Sequence, residues 1–415
     1  MINKKNISLI FNAFLLTHLI IWTLVPFFSN KNLPLDVIEA LAWGSNLDWG
    51  FEKHPPLSAF FTEIFYQVFR RQDWAYYLLS QIFVILSFIV IFKLAKDFLK
   101  NQVHALLAVF LLEGIYFYNF TTPEFNVNIC QIPFWALTVY YFWQSLKDDK
   151  IYNWVLLGFF AALGFLSKYL FIYLLFGMVI FFIFNLKKIK KFNFRYLIPI
   201  TVFLLVLSPH LIWLVDNEYK TITYGLKRTG FEDYNFLNHI VFPLKFASKQ
   251  IVILIPFFIL LSLIVSKFKF KFKRNDKKLV YLASVTLVPI LLMLLTSLIF
   301  GMTIRSMWMT PFYLFFGLLS IYIFESKINL NHIKKFMVIF LFIFILSPVA
   351  YLYVSLSKNN KRTDFPGKEI ARLVQVRWDK NFNNKIAIVV GDEWLGGNLS
   401  YHLRSRPRWF NNLSP

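Results

Sequence analysis

Between Pro34 and Leu57 the chain reads PLDVIEALAWGSNLDWGFEKHPPL, a polar and acidic interruption in an otherwise apolar sequence. Asp36, Glu39 and Trp43 are spaced i, i+3, i+7, so a helix over Leu35 to Trp43 places them on one face, with Gly44 positioned to end it. Two carboxylates then point the same way. The neighbours Leu33, Leu35, Val37, Ile38 and Leu41 would lay this helix partly in an interface with its polar groups turned toward protein. A carboxylate so placed can take a proton from an incoming hydroxyl, the task of a general base. A solvated helix face is the competing reading, and the apolar flank tells against it. Downstream, Lys53 and His54 precede Pro55 and Pro56, which fix the backbone and cannot continue a helix. A lysine here suits the phosphate of a lipid carrier, as a point charge and as a stabiliser of the leaving group. An ordinary loop charge fits the composition equally well. For His54 as a metal ligand there is no HExxH and no clustered histidine in support.

Further along, Lys168 lies in GFLSKY between two apolar runs. A lysine near membrane depth defaults to a functional hypothesis, and snorkelling to the interface is its bland alternative. Glu113 and Glu124 are treated alike, with Glu124 preferred because Pro123 ends the preceding apolar run beside it. Arg228 in GLKRTG and Arg305 in TIRSMWMTP are either phosphate clamps or rim charges. Trp43, Trp49, Trp213 and Trp308 near span ends fit an interfacial belt, although such rings also stack on sugar faces. No glycine-rich phosphate loop or dinucleotide fingerprint is present, which argues against a nucleotide-driven pump or a nucleotide-sugar site and for a membrane-borne activated substrate.

These residues need a scaffold, and composition says which kind. Of 415 residues, 58% are hydrophobic and 20% aromatic, with a mean hydropathy of +0.56, so this is a polytopic membrane protein. The net charge of +22 does not indicate nucleic acid, because the basic residues fall between apolar spans instead of on one soluble face. Cys130, the single cysteine, excludes a disulfide framework and a cysteine metal site. Lys4 and Lys5 precede an apolar run too long for a signal-peptide core, read as an uncleaved first span. Eleven spans are expected, at about 7–28, 74–92, 104–120, 127–145, 154–167, 169–186, 196–215, 251–266, 279–299, 307–324 and 336–354. With the N-terminus in the cytoplasm, the inner loops carry 22 Lys and Arg against 5 acids and the outer loops 11 against 11, a strong bias in favour of that orientation. The outer segments are then 29–73, 121–126, Lys168-Tyr169, 216–250 and 301–306, which hold every charged candidate above except Glu113. The alternating run KFKFKFKR at 267–274 reads as a basic juxtamembrane segment on anionic lipid.

After Ser355 the composition changes. The stretch KNNKRTDFPGKEIARLVQ can form a short helix, KIAIVVG a buried strand and GDEWLGGNLSYHLRSRPRWF a loop with a second helix or strand. Residues 1–354 are thus expected as the transmembrane domain and 355–415 as a small tail domain, which must lean on the membrane part because it is marginal alone.

The pieces PLDVIEALAWGSNLDWGFEKHPPL, TTPEFNVNICQIPFWAL, GFLSKYLFIYLL, SPHLIWLVDNEYKTITYGLKRTG and RSMWMTPFYLFFG, followed by GGNLSYHLRSRPRWF, occur in an order that resembles the polyprenyl-phosphate-sugar-dependent membrane glycosyltransferases. These are the protein mannosyltransferase-like and lipid A aminoarabinose transferase-like enzymes of families 39 and 83. The resemblance implies an all-α polytopic GT-C fold of about eleven transmembrane helices, with periplasmic juxtamembrane helices and a small C-terminal α/β periplasmic tail. It implies residence in the bacterial inner membrane, a donor sugar on undecaprenyl phosphate, and inverting transfer at the periplasmic face to lipid A, lipopolysaccharide or another envelope acceptor. Carried over by position, Asp36 is the acidic residue at the acceptor with Glu39 its companion, Lys53 the phosphate ligand, Glu124 the acid of the TPD-like motif and Lys168 the lysine of the SKY element. With the candidates above, Asp36 and Glu39 are the expected catalytic acids, Lys53, His54, Lys168, Arg228 and Arg305 the expected donor-phosphate ligands, and Glu124, Tyr169 and Trp43 the expected acceptor or sugar contacts. No cofactor is named by a motif, and dependence on a divalent metal is left open. Expected partners are the lipid-linked donor, a lipid or glycan acceptor and membrane lipid. The rival classes are a lipid-linked glycan flippase, whose paired broken helices in two related halves are not seen, and a protein O-glycosyltransferase.

Overall fold

The computed structural model describes residues 4–185, 193–230, 235–270, 275–357 and 359–412. The chain runs through α1 (Lys4–Ser29), α2 (Leu35–Gly44), α3 (Leu57–Phe69), α4 (Asp73–Phe98) and α5 (Gln102–Phe110). It continues with α6 (Val127–Asp148), α7 (Ile151–Ser167), α8 (Ile172–Asn185), α9 (Leu197–Asp216), α10 (Lys220–Arg228), α11 (Asn238–Ile264) and α12 (Lys277–Phe300). Then come α13 (Phe316–Phe324), α14 (Ile333–Ser357), α15 (Gly367–Asn381), strand β1 (Ile388–Val390), α16 (Leu395–His402) and strand β2 (Arg408–Phe410). Each of the eleven expected spans overlaps a helix. Among the described residues six helices are long and apolar enough to cross a membrane, corresponding to α1, α4, α9, α11, α12 and α14.

The other expected spans are shorter or more polar, and two are broken. α5 stops at Phe110 and gives way to short 3-10 turns at Leu111–Gly114 and Tyr116–Tyr118. Ser306–Met309 forms a similar turn ahead of α13. Irregular backbone inside a bundle is tolerated only where protein covers it, and Leu107 to Ile115, Phe117 and Tyr118 are buried. A Cβ on Gly114 would come within 2.6 Å of the Phe257 Cα, so this position must stay bare for the broken segment to lie against α11. Glu113 serves this break. Its Oε1 lies 3.3 Å from His18 Nε2, which donates to the Tyr118 carbonyl at 2.9 Å, and Asn119 Nδ2 donates to the Glu113 carbonyl at 2.8 Å. The carboxylate expected as an alternative to Glu124 is therefore part of the core. α11 also differs from expectation, starting at Asn238 instead of near 251, because its first turns carry Lys245 and Lys249 among apolar residues and no apolar run marks them.

The tail begins with the expected helix and strand, and its last stretch, expected as a loop with one further helix or strand, forms both, α16 and β2. β1 pairs in parallel with β2, Ile388 opposite Arg408, with α16 as the crossover. Its own buried cluster is small, Ala371, Ile386, Val389 and Leu403, so it rests on α2 and α3. Arg406 Nη2 donates to the Leu41 carbonyl at 2.6 Å and to Glu63 Oε2 at 2.7 Å. A Cβ on Gly397 would sit 2.9 Å from Ile38 Cγ2, which measures how closely α16 lies on α2. The basic run 267–274 has no regular structure over residues 267–270, and its residues 271–274 lie outside the described residues, as do 187–192 of the loop KKIKKFNFR.

Candidate active site

The site is built on the start of α2. Pro34 enters with φ −59° and ψ 162°, too extended to belong to the helix, and no side chain of the helix's own segment caps it. The first N–H groups of a helix need outside acceptors. Glu124 supplies one, its Oε1 accepting from the Asp36 N–H at 3.1 Å. This bond ties the loop after the broken α5 segment to the expected catalytic residue. Gly44 ends α2 as expected, but for contact instead of left-handed geometry: a Cβ there would lie 2.8 Å from the Ala59 carbonyl of α3. The loop 45–56 is held by α9 and α10. Trp213 Nε1 donates to Asp48 Oδ2 at 2.9 Å, His210 Nδ1 donates to the Trp49 carbonyl at 2.6 Å, and Thr221 Oγ1 donates to the Phe51 carbonyl at 2.7 Å. Lys53 and His54 are delivered to the same place as Asp36 by these anchors.

A cavity of about 560 Å³ opens there, and Asp36, Glu39, Lys53, His54, Lys168, Tyr169 and Arg228 all line it. Its remaining wall includes Leu170, Tyr173, Met293, Ile304 and Met307, an apolar side continuous with the polar one. Lys168 is the residue that interrupts α7 and α8, extended at φ −165° and ψ 135°. Its Nζ donates to Asn128 Oδ1 at 2.6 Å and lies 4.9 Å from the centre of the Trp308 ring. Among the described residues no carboxylate lies within 4 Å of that ammonium. Arg228 stacks on Tyr224 and donates to its hydroxyl at 2.7 Å, again without a carboxylate partner among the described residues. Lys53, in contrast, is engaged twice, 2.9 Å from Glu39 Oε1 and 3.1 Å from Glu393 Oε1.

Burial dominates the protonation of these groups. It pushes the Asp36 carboxyl up to about 7, with the Glu124 charge adding to the rise and Lys168, Arg228 and Lys53 opposing it. Glu124 and Glu39 are likewise raised by burial, moderated by the Asp36 N–H and by Lys53 respectively. The Lys168 ammonium is brought down to about 7 by burial, against the pull of Asp36 and helped by Arg228 and Arg305. His54 falls to about 3 from burial and the nearby cations, so it faces the cavity as a neutral imidazole. For Lys53 burial opposes the charge, but the bonds from Glu39 and Glu393 outweigh it and hold the ammonium above its ordinary value. A carboxyl and an amine both titrating near neutrality in one cleft suit proton transfer and anion binding.

Three expected residues stand off the cavity wall. Glu124 lies behind Asp36. Arg305 is exposed and close enough to depress Lys168. Trp43 is buried against Phe51, ring centres 5.6 Å apart and nearly parallel, in a cluster closed by Trp409 of the tail. It therefore supports the loop and presents no face to a sugar. Asn128, Thr221, Tyr224 and Arg362 also line the wall, and Glu393 stands beside Lys53. Nothing in their local sequence marks them. Among the described residues no group of three or more His, Cys, Asp or Glu side chains is placed to hold a metal ion.

Residues 53–213 match the dolichyl-phosphate-mannose-protein mannosyltransferase family. No curated protein matches the sequence. The fold is similar to that of ArnT from Cupriavidus metallidurans bound to undecaprenyl phosphate, with a TM-score of 0.68 and 11% identity over 97% of this chain and 86% of that one. Against the apo state of the same protein the TM-score is 0.61, again at 11% identity, over 95% and 84% of the two chains. The family match over residues 53–213 and the fold match over almost the whole length agree with the order of motifs, and the chain has an all-α, multi-pass fold of the kind seen in ArnT.

Proposed function

We propose that this protein takes a sugar from undecaprenyl phosphate and hands it, in one inverting step, to a hydroxyl or phosphate of an envelope acceptor such as lipid A. The transfer occurs at the periplasmic face of a bacterial inner membrane. The observation that carries this reading is the cavity itself, where the buried Lys168 ammonium has no carboxylate partner among the described residues and shares the space with Asp36. A cation held out of water without an anion is costly, and a bound phosphate relieves that cost. Arg228 offers a second, forked donor set, and the apolar side at Leu170, Tyr173 and Met293 suits the first prenyl units. Lys53 already serves two carboxylates, so the phosphate is assigned first to Lys168 and Arg228, with Arg305 adding charge at the rim.

In the reaction the acceptor oxygen attacks the anomeric carbon as the carbon–oxygen bond to the lipid phosphate breaks, and the phosphate leaves with the bonding electrons. Attack from the face opposite the leaving group inverts the centre. Lys168 and Arg228 stabilise the charge that grows on the departing phosphate. For a hydroxyl acceptor Asp36 takes the proton, and a carboxyl titrating at about 7 is matched to that task. A phosphate acceptor is already nucleophilic and needs only positioning. Purified protein reconstituted with undecaprenyl-phosphate sugars and extracted envelope lipid should add the mass of one sugar to an acceptor lipid. Sugar lipid that crosses the bilayer with no new covalent adduct would instead mark a flippase.

A further inference from the structure

The tail is joined to the candidate site by one carboxylate. Glu393 Oε1 stands 3.1 Å from Lys53 Nζ, opposite Glu39 at 2.9 Å, and all three side chains are largely withdrawn from solvent. The turn that carries Glu393 is tightly specified. Gly391, at φ +151°, donates its N–H to the Phe410 carbonyl at 3.1 Å and accepts from Trp409 Nε1 at 2.9 Å. Asp392 Oδ1 then accepts from the N–H groups of Trp394 and Leu395 at 2.9 and 3.0 Å, capping α16. α16 in turn lies on α2, the helix that bears Asp36 and Glu39, at the close approach of Gly397 to Ile38. The docking of α16 thus fixes Glu393 relative to the first-loop residues.

We propose that Glu393 is a positioning residue that, with Glu39, clamps the Lys53 ammonium at the cavity wall, so that the C-terminal domain is a working part of the transfer site. This rests on the glycosyl-transfer reading above. An ammonium has three hydrogens. Two are spent on the clamp, and the third is left for substrate at a fixed position. Without Glu393, Lys53 keeps one partner and gains freedom to swing with its four-carbon stem.

The test uses the full-length protein in two arms. Labelling of Lys53 by a water-soluble amine reagent at pH 8, read residue by residue by mass spectrometry, reports the clamp without any need for activity. Glu393→Gln should speed labelling at Lys53 about tenfold, the weight of one charge-assisted hydrogen bond, and leave the other lysines unchanged. In the transfer assay kcat/KM should fall about tenfold in Glu393→Ala and recover in part in Glu393→Asp, while the unfolding temperature stays close to wild type. Unchanged labelling overturns the clamp. Faster labelling with wild-type transfer in every Glu393 variant overturns its part in the reaction. Wild-type protein that transfers no sugar would sink the glycosyl-transfer reading alone, and the labelling arm still decides whether Glu393 holds Lys53.

Discussion

Lys168→Met separates the cost of a buried charge from its use. Methionine keeps most of the volume of the lysine stem and removes the ammonium. The fall of Lys168 from its ordinary 10.5 to about 7 amounts to about 5 kcal/mol against the charged form, at ~1.4 kcal/mol per tenfold change. Removing the charge relieves that cost but leaves Asn128 Oδ1 without its donor, a loss of about 1–3 kcal/mol. The ligand-free variant should therefore be at least as stable as wild type at pH 6. The sign of the pH dependence follows from linkage: between pH 7 and 10.5 the unfolded lysine holds its proton more than the folded one, so wild-type stability rises with pH in that window. The wild type should gain on the variant as the pH is raised from 7 toward 9. Undecaprenyl phosphate should act in the opposite sense. It loses a charged hydrogen bond in the variant worth about 1.5–3 kcal/mol, so binding weakens roughly 10- to 150-fold at pH 6. Thermal unfolding with and without the lipid, at pH 6 and pH 9, reads both effects. A variant less stable than wild type at pH 6 that still binds undecaprenyl phosphate as well would refute the assignment of Lys168 to the phosphate.

Two further outcomes test the scaffold. Arg406→Ala removes the buried ion pair to Glu63 Oε2 and one of the donors to the Leu41 carbonyl, leaving the Glu63 charge with only Gln67, and should cost about 3 kcal/mol, as broken buried ion pairs do; thermal unfolding would show it, with Glu63→Gln in the same background giving some of it back. In a Cys130→Ser background a cysteine at Glu52, an exposed residue of the first loop, should react with a membrane-impermeant maleimide in intact spheroplasts. Reaction only after the membrane is opened would put the first loop in the cytosol and remove the proposed sidedness.

Much of the fold was legible because membrane spans are written locally. Apolar length identifies α1, α4, α9, α12 and α14, and the polar interruptions show where chemistry can gather. The i, i+3 spacing of Asp36 and Glu39 correctly placed both on one cavity wall, since a single helical turn decides it. Trp43, at i+7, was misjudged for a nonlocal reason: Trp409, in β2, packs into its cluster. The break after Phe110 was hidden because hydropathy does not distinguish a continuous helix from a segment whose irregular backbone is covered by α11 and whose polar groups are met by His18 and Asn119. Lys53 was legible as a candidate and lines the cavity, but its two carboxylate partners could not be weighed, because Glu393 reaches it only through the docking of the tail on α2. The start of α11 was missed since amphipathic turns bearing Lys245 and Lys249 carry no apolar run.

The most direct measurement is the initial rate of sugar transfer from undecaprenyl phosphate to extracted envelope lipid in proteoliposomes, wild type beside Asp36→Asn. Wild-type protein should transfer sugar, and for a hydroxyl acceptor the variant should lose about 10²–10⁴-fold with undecaprenyl phosphate still bound. Undiminished transfer to a hydroxyl by Asp36→Asn, or no sugar moved by folded wild-type protein, would contradict this mechanism.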